Sequence, residues 1–147
     1  MLYIVSTPIG NLEDITLRAL RILKEVDLIA CEDTRKTVIL LNKYEIKVKT
    51  ISYHGHSKDS KIDYLLDLLE QGKNIALCSD AGTPGVSDPG VKLIARANER
   101  GIKTSVIPGP SAFLSALSLS GFALDEFHFL GFPPNKNKRL KFFEQIN

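Results

Sequence analysis

Residues 75–90 have the sequence IALCSDAGTPGVSDPG, in which a short apolar run is followed by a loop rich in glycine and proline. Four consecutive apolar residues, 75–78, are typical of a strand that is buried on both faces of a parallel sheet. Asp88 and Pro89 then predict the start of a helix, because an acidic N-cap before proline is a common helix beginning. The segment is therefore one strand–loop–helix unit of an α/β fold.

Similar units lie on both sides of this segment. Apolar runs predict four further strands, over residues 2–5, 28–31, 48–53 and 104–107. Helical spacing of apolar residues predicts five helices, within 14–25, over 34–44, from Ser57 to Gly72, from Asp88 to about Arg100, and over 111–120. The last of these is apolar nearly all round, which predicts that it is buried on both sides. Five alternating units predict an α/β fold: a parallel sheet with helices on both faces.

The loops of the predicted fold divide into two sets. Right-handed crossovers bring the carboxyl ends of all five strands to one edge of the sheet. The loops that meet there are residues 7–11, 32–35, 54–57, 79–87 and 108–111, and they hold most of the glycines, prolines and unpaired polar residues. Because ligands of open α/β sheets bind outside this edge, we expect the functional site there.

Composition excludes several classes of protein. The 147 residues are 44% hydrophobic and 24% charged, close to the average of globular domains, and the length predicts one domain. No apolar run reaches the roughly 18 residues of a membrane span, and the N-terminus does not resemble a signal peptide. Cys31 and Cys78 cannot form a disulfide framework, and no C-x-x-C zinc motif occurs. We therefore expect a cytoplasmic protein without a metal site or a membrane anchor.

The charge is unevenly distributed along the chain. The net charge is +2, yet residues 136–147 carry four basic residues against one acidic residue, so the remainder of the chain is nearly neutral. A neutral body does not indicate nucleic-acid binding by itself, and the basic segment is typical of a solvated helix face.

The loop after the second strand is a candidate for substrate chemistry. Glu32 or Asp33 can act on a substrate hydroxyl, and Arg35 can hold a phosphate. A simple ion-pair cluster is the commoner alternative for two acids beside an arginine, and Asp33 or Thr34 is expected to cap the next helix. His54 and His56 could similarly bind metal or move protons, although loop histidines are more often solvated.

The loops after the fourth and fifth strands are candidates for ligand binding. Gly82 permits a positive φ or a close ligand, and Asp80 is available as a ligand because Asp88 is predicted to cap the helix. The loop matches neither the G-x-G-x-x-G nor the P-loop fingerprint. The PGPSA segment at 108–112 leads into a helix whose first N–H groups could hold a carboxylate, although a rigid joint explains it equally well.

Taken together, the loop motifs resemble one known family. The motifs are VSTPIGNL at 5–12 with DIT at 14–16, ACEDTR at 30–35, SDAGTP at 79–84 continuing to SDPG at 87–90, and PGPSA at 108–112. Their order and spacing resemble those of the tetrapyrrole methylase superfamily, the class III S-adenosylmethionine-dependent methyltransferases. The resemblance covers the chain from Met1 to about Pro134. The threonine at position 83 resembles the pattern of the branch that methylates ribosomal RNA. Relatives that methylate tetrapyrroles usually carry an acidic residue at this position.

The resemblance implies a fold, a cofactor and a reaction. It implies two α/β domains with S-adenosylmethionine in the cleft between them, and a homodimer. It implies transfer of a methyl group to the 2′-oxygen of a cytidine ribose in small-subunit ribosomal RNA, with Glu32, Asp33 and Arg35 as candidate catalytic residues. The residues that match the cofactor-binding positions are Pro8, Asp80, Ala81, Gly82, Thr83, Val86, Ser111 and Ala112.

The chain departs from the family pattern at two places. The sequence HGHS at 54–57 stands where the family often has His-Glu-His-Asn, which weakens a functional role for that loop. We also expect residues 1–121 to form the N-terminal α/β domain and residues 122–147 to begin a truncated second domain. In that second part, residues 127–132 are predicted as a strand and a basic helix is predicted from about Lys136.

Three alternative functions follow from the same residues. The chain could belong to another methyltransferase of the tetrapyrrole methylase type. It could be a non-catalytic module that contacts a nucleotide or RNA. A nucleotide hydrolase is the third alternative, and it would require a metal-binding acidic cluster, which only Glu32 and Asp33 suggest.

Overall fold

The computed structural model of the chain describes residues 1–123, 125–136 and 138–146. Within these residues, five strands and six α-helices follow one another, with a single 3-10 turn at Leu12–Asp14. They are β1 Leu2–Val5, α1 Leu17–Glu25, β2 Leu28–Cys31, α2 Thr34–Lys43, β3 Thr50–Ser52, α3 Asp59–Glu70, β4 Ile75–Cys78, α4 Val91–Glu99, β5 Thr104–Ile107, α5 Ala112–Ser120 and α6 Lys138–Glu144.

The strands form one parallel sheet in the order β3-β2-β4-β1-β5. The predicted α/β class and all five strands are confirmed, although the third strand is shorter than the predicted 48–53. Strand β4 lies at the centre, where Leu77 is in register with Ile4 on one side and Ala30 on the other. All five carboxyl ends therefore point to the same edge of the sheet, as the predicted loop arrangement requires.

Two apolar cores lie on opposite faces of the sheet. Successive side chains of a strand point to opposite faces, and each face is covered by a different pair of helices. Leu23 of α1 packs on the face that carries Val5, whereas Leu66 of α3 packs on the face that carries Leu77; all four are fully buried. Burial on both faces explains why the three inner strands, β1, β2 and β4, are continuous apolar runs rather than alternating ones.

Side-chain caps set the start of the first two helices. The Thr16 hydroxyl accepts a hydrogen bond from the Ala19 N–H at 3.1 Å, and the Asp33 carboxylate accepts one from the Arg35 N–H at 2.9 Å. Asp33 is therefore the cap of α2. Helix α1 lies within the predicted region 14–25, and a 3-10 turn at Leu12–Asp14 precedes it.

Two predicted caps are wrong. Ser57 does not cap α3; its hydroxyl instead accepts the His54 N–H at 2.9 Å and closes the loop before the helix. Asp88 does not cap α4, because the helix begins only at Val91. Gly90 occupies the N-cap position, and its φ of +143° is not helical. Gly90 fits there since a Cβ atom would lie 3.1 Å from the Cδ2 atom of Leu77.

The predicted burial of α5 is wrong for the part of the chain that the structure describes. None of its residues is buried, and Leu119 is 89% exposed. Helix α5 follows the edge strand β5, and the described residues cover it at Phe113, beside the rings of Phe127 and Phe129, while most of its other residues are exposed. Its apolar surface is available to a partner surface.

The C-terminal segment agrees with the prediction only in part. The basic helix is present as α6, although Asn137 and Asn147 of the predicted segment lie outside the described residues. The strand predicted at 127–132 does not form, since a strand needs a neighbouring strand for its hydrogen bonds; instead the rings of Phe113 and Phe129 lie 4.9 Å apart. Among the described helices, none is both long and apolar enough to cross a membrane.

Candidate functional site

Two cavities open at the carboxyl edge of the sheet. The first, the apolar cavity, has a volume of about 570 Å³ and lies between the loops after β1, β4 and β5 and the start of α5. The second, the polar cavity, has a volume of about 480 Å³ and lies between the loops after β2, β3 and β4. Both volumes fall in the range of sites for small ligands.

Hydrogen bonds join the loops after β1 and β4 into one wall of the apolar cavity. Thr7 and Gly82 exchange two backbone hydrogen bonds, of 2.9 and 3.0 Å, and the Thr7 hydroxyl donates to the Ser79 carbonyl at 3.2 Å. The hydroxyls of Ser6 and Thr83 lie 2.8 Å apart and form a further link. Gly82 has a φ of +78°, which a residue with a side chain would adopt only with strain. This wall is therefore a fixed backbone surface.

The loop after β5 packs closely on the end of β1. A Cβ atom at Gly109 would lie 2.9 Å from the Cβ atom of Ser6, closer than side chains normally approach. Glycine at this position thus lets the two loops meet. Pro108 and Pro110 on either side restrict the backbone, so the start of α5 is held in place over the cavity.

Ser111 lines the apolar cavity at the N-cap position of α5 and has unused hydrogen-bonding capacity. Its side-chain oxygen is buried, makes no capping bond and has no hydrogen-bond partner among the described residues. The first N–H groups of any helix also lack partners within the helix. The Ser111 hydroxyl and the start of α5 are therefore the candidates for binding a carboxylate or another acceptor.

The structure places the predicted cofactor-binding residues in three groups. Six of them line the apolar cavity: Ala81, Gly82, Thr83, Val86, Ser111 and Ala112. Pro8 is buried and does not line it. Asp80 lines the polar cavity instead, so one loop supplies consecutive residues, Asp80 and Ala81, to different cavities.

Some residues that line the apolar cavity were not predicted from the sequence. Phe113, Phe129 and Phe132 contribute aromatic surface to it. Phe129 and Phe132 belong to the segment predicted as a strand, and an apolar run carries no signal that distinguishes a strand from a cavity wall. Asp88 also lines the cavity, and burial raises the pKa of its carboxyl.

The polar cavity contains all three predicted catalytic residues. Glu32, Asp33 and Arg35 line it together with Asp80. Thr34, Ser52 and His54 complete its wall. His56 does not line it, and its N–H donates to the Nδ1 atom of His54 at 3.3 Å.

Arg35 determines the charge state of Asp33. The Arg35 guanidinium donates two hydrogen bonds to the Asp33 carboxylate, from Nε at 3.0 Å and from Nη2 at 2.7 Å. This bidentate pair lowers the pKa of Asp33 from 3.8 to about 2. Asp33 is therefore ionised at neutral pH and is a weak proton acceptor. The Arg35 side chain is 87% exposed, so its remaining donors face solvent.

Asp80 is bound on three sides by the loop after β2. One carboxylate oxygen accepts the Asp33 N–H at 3.1 Å, and the other pairs with the Lys36 ammonium at 2.6 Å. The Asp80 N–H donates to the Glu32 carboxylate at 3.3 Å. The pair raises the pKa of Lys36. Nothing in the sequence marks Lys36 as a partner of Asp80, since 44 residues separate them.

The described residues offer no cluster for a metal ion. Across residues 1–123, 125–136 and 138–146, no three histidine, cysteine, aspartate or glutamate side chains are grouped so that they could hold one. The free thiols of Cys31 and Cys78 are buried in adjacent strands, and burial raises the pKa of both.

Comparisons with known proteins point to one family. The sequence model of the family described as Tetrapyrrole (Corrin/Porphyrin) Methylases matches residues 1–146. A relative from Thermotoga maritima, named ribosomal RNA small subunit methyltransferase I, is 52% identical over 139 residues, which are 94% of this chain and 63% of the relative. A protein of the same name from Haemophilus influenzae is 51% identical over 141 residues, which are 96% of this chain and 50% of that protein. The chain spans about half to three-fifths of the length of these curated relatives.

Solved structures share the fold at lower sequence identity. A uroporphyrin-III-C-methyltransferase from Thermus thermophilus superimposes with a TM-score of 0.62 at 24% identity, over 80% of this chain and 52% of that protein. A cobalt precorrin-4 methyltransferase gives a TM-score of 0.62 at 19% identity, over 80% of this chain and 48% of that protein. The architecture of the sheet and its helices is therefore common to these proteins.

Proposed function

The chain belongs to the tetrapyrrole methylase family, and from this membership we propose that it is part of a methyltransferase whose substrate is small-subunit ribosomal RNA. The specific reaction we propose is methylation of the 2′-oxygen of a cytidine ribose, with S-adenosylmethionine as the methyl donor. One observation carries the proposal: three motif loops of the family converge on the apolar cavity, and its lining includes Ser111, whose buried side-chain oxygen has no hydrogen-bond partner among the described residues.

The residues of the apolar cavity fit S-adenosylmethionine. The cofactor has an amino-acid end that needs hydrogen-bond partners and an adenine that needs apolar contact. We assign the carboxylate to the Ser111 hydroxyl and the start of α5, and the adenine to the apolar side of the cavity near Val86. Gly82 allows the ligand to approach the backbone. When bound, S-adenosylmethionine supplies an activated methyl group.

The polar cavity is the candidate site for the RNA ribose. Asp80 and Ala81 are consecutive and line different cavities, so the two sites share one loop. Asp33 is a weak proton acceptor, because both of its carboxylate oxygens are held by Arg35 and its pKa is lowered to about 2, so Glu32 is the remaining candidate. We assign to Glu32 Oε1 the role of accepting the hydrogen of the ribose hydroxyl, since Oε2 receives the Asp80 N–H.

Arg35 is placed to contact the RNA backbone. A guanidinium has five N–H donors, and two of those of Arg35 are used by Asp33. The others are exposed at the rim of the polar cavity and can bind a phosphate oxygen, a contact that orients RNA without reading its sequence. In this assignment most of the rate enhancement comes from positioning the hydroxyl and the methyl donor.

The exposed apolar surface of α5 supports the proposed partners. Leu114 and Leu119 are 50% and 89% exposed, and Phe122 and Phe132 are exposed as well. We propose that a second α/β domain, of which residues 122–147 are the beginning, and a second copy of the chain cover this surface in the working enzyme. Residues 1–121 would then be the N-terminal domain.

A methyl-transfer assay tests the proposal. The complete natural polypeptide that contains this chain is incubated with small-subunit ribosomal RNA and S-adenosylmethionine labelled in its methyl group. The RNA is then digested to nucleosides. We expect the label in 2′-O-methylcytidine. Label in a base, label in another ribose, or transfer to a tetrapyrrole instead of RNA would contradict the proposed substrate, and no transfer to any of them would contradict the proposed activity.

A further inference from the structure

We propose that Asp80 is a positioning residue that holds the substrate loop, residues 32–35, in register with the cofactor loop, residues 79–87. It is not a cofactor ligand, because it lines the polar cavity and its carboxylate is occupied by the substrate loop and by Lys36. The kinetic consequence of this inference rests on the proposed function, whereas its structural consequence does not.

The sheet alone does not fix the two loops. Cys31 and Cys78 are the last residues of β2 and β4 and are directly in register. Beyond them the ladder of the sheet ends, and the contacts that join the two loops come from Asp80 and Glu32. The Asp33 N–H gives its hydrogen bond to Asp80, so without Asp80 a part-buried donor at the start of α2 would lose its partner.

Asp80 contacts two of the three candidate catalytic residues directly and the third, Arg35, only through Asp33. Its carboxylate sets the backbone position of Asp33, which in turn receives the two hydrogen bonds of Arg35. Its N–H holds the Oε2 atom of Glu32 and thereby orients the other oxygen of that carboxylate. A single side chain and its own peptide N–H thus determine the geometry of the acid pair and of the arginine.

Lys36 completes the arrangement by neutralising Asp80. Its ammonium lies 2.6 Å from the second carboxylate oxygen. Without this pair, Asp80 would add an uncompensated negative charge next to Glu32 and to the Asp33–Arg35 pair, which would repel the phosphates of an RNA. Lys36 is therefore part of the positioning device and not a direct RNA contact.

Two substitutions at Asp80 separate positioning from chemistry. Asp80→Ala removes both the acceptor for the Asp33 N–H and the ion pair with Lys36. Asp80→Asn keeps an oxygen that can accept the Asp33 N–H and removes only the ion pair. If Asp80 positions the loop, Asp80→Ala lowers kcat by about 10- to 100-fold, as small misplacements of reacting groups do, and Asp80→Asn lowers it much less. The affinity for S-adenosylmethionine stays the same in both variants.

Amide hydrogen exchange of the unliganded protein provides the second readout. We expect the Asp33 N–H to exchange faster in Asp80→Ala and to keep its wild-type rate in Asp80→Asn. Asp59→Asn is the matched control, because it removes an ion pair of the same kind, with Lys92, that lies outside both cavities. Neither kcat nor the exchange of Asp33 should change in this control.

The outcomes distinguish this inference from the proposed function. If the wild-type protein transfers no methyl group, the proposed function fails, and the exchange of Asp33 alone then decides whether Asp80 holds the loop. An unchanged Asp33 exchange rate in Asp80→Ala overturns the inference whatever the kinetics show. It is also overturned if Asp80→Asn loses as much activity as Asp80→Ala, since Asp80 would then act directly. Should Asp80→Ala fail to fold, Lys36→Met still tests the arrangement, because it leaves the charge of Asp80 uncompensated, and wild-type activity in that variant overturns the role of Lys36.

Discussion

Replacing Ser111 by alanine should weaken the binding of S-adenosylmethionine while leaving the fold as stable as before. A serine at a helix N-cap usually stabilises a protein by about 1 kcal/mol, because its oxygen accepts a hydrogen bond from the first turn. Ser111 makes no such bond, and its buried oxygen has no partner among the described residues. The substitution therefore removes no bond from the unliganded protein.

The size of the effect follows from one hydrogen bond. A hydrogen bond to a charged group contributes about 1.5–3 kcal/mol net, and about 1.4 kcal/mol corresponds to a tenfold change in affinity. If the Ser111 hydroxyl binds the cofactor carboxylate, the dissociation constant should rise about 10- to 150-fold in Ser111→Ala. The free energy of unfolding should stay the same or rise by up to about 1 kcal/mol, since an unsatisfied buried oxygen has been removed.

Calorimetry and urea unfolding measure the two quantities separately. S-adenosylmethionine is titrated into the complete natural polypeptide, and unfolding is followed by circular dichroism. Ser118→Ala on the same helix is the control, because the Ser118 hydroxyl is exposed, donates to the Leu114 carbonyl at 2.9 Å and does not line the cavity. The reasoning is refuted if Ser111→Ala loses 1 kcal/mol or more of stability and binds the cofactor as tightly as the wild type.

Two further predictions concern the loops around the cavities. Gly109→Ala should lower the free energy of unfolding by about 1–3 kcal/mol in urea titrations, because the new Cβ would lie 2.9 Å from that of Ser6; Gly10→Ala, where a Cβ meets nothing within 4 Å, should cost much less. In an NMR titration the Asp33 carboxyl should titrate at about 2, and Arg35→Gln should return its pKa toward 3.8. Because this pKa is lowered in the folded chain, the pair contributes stability above pH 3.8 and loses it as the pH falls toward about 2; an unchanged Asp33 pKa in Arg35→Gln would contradict the assignment.

The architecture could be predicted because its signals are local. Each inner strand is a short apolar run, such as Ile75–Cys78, and each of these runs is followed by a helix whose apolar residues recur at helical spacing. Burial on both faces requires this pattern wherever the strands are parallel. The parallel topology then brings the five predicted loops to one edge of the sheet, where both cavities open.

Helix starts were harder to predict because several residues compete to cap them. Ser57 and Asp88 both have suitable side chains for an N-cap, but the structure uses the Ser57 hydroxyl within the preceding loop. At Asp88 the backbone departs from helical geometry, with positive φ at Ser87 and Gly90. Such competition depends on the local backbone path, which residue type alone does not determine.

The contacts within the site could not be predicted because they join distant parts of the chain. Asp80 has the residue type of a ligand, and its partners, Asp33 and Lys36, are identified only when β2 and β4 lie side by side. The exposure of α5 is a different case. An apolar helix indicates that a partner surface exists, and it does not indicate whether that surface belongs to the same 147 residues.

Mapping the S-adenosylmethionine site by NMR tests most directly whether the apolar cavity holds the cofactor. Amide chemical shifts of the complete natural polypeptide are recorded while S-adenosylmethionine is added up to millimolar concentration. If the cofactor binds in the apolar cavity, we expect the largest changes in amide chemical shift at Gly82, Thr83, Ser111 and Ala112. Changes confined to the polar cavity around Glu32, or no changes at all, would contradict the assignment of the cofactor to this cavity.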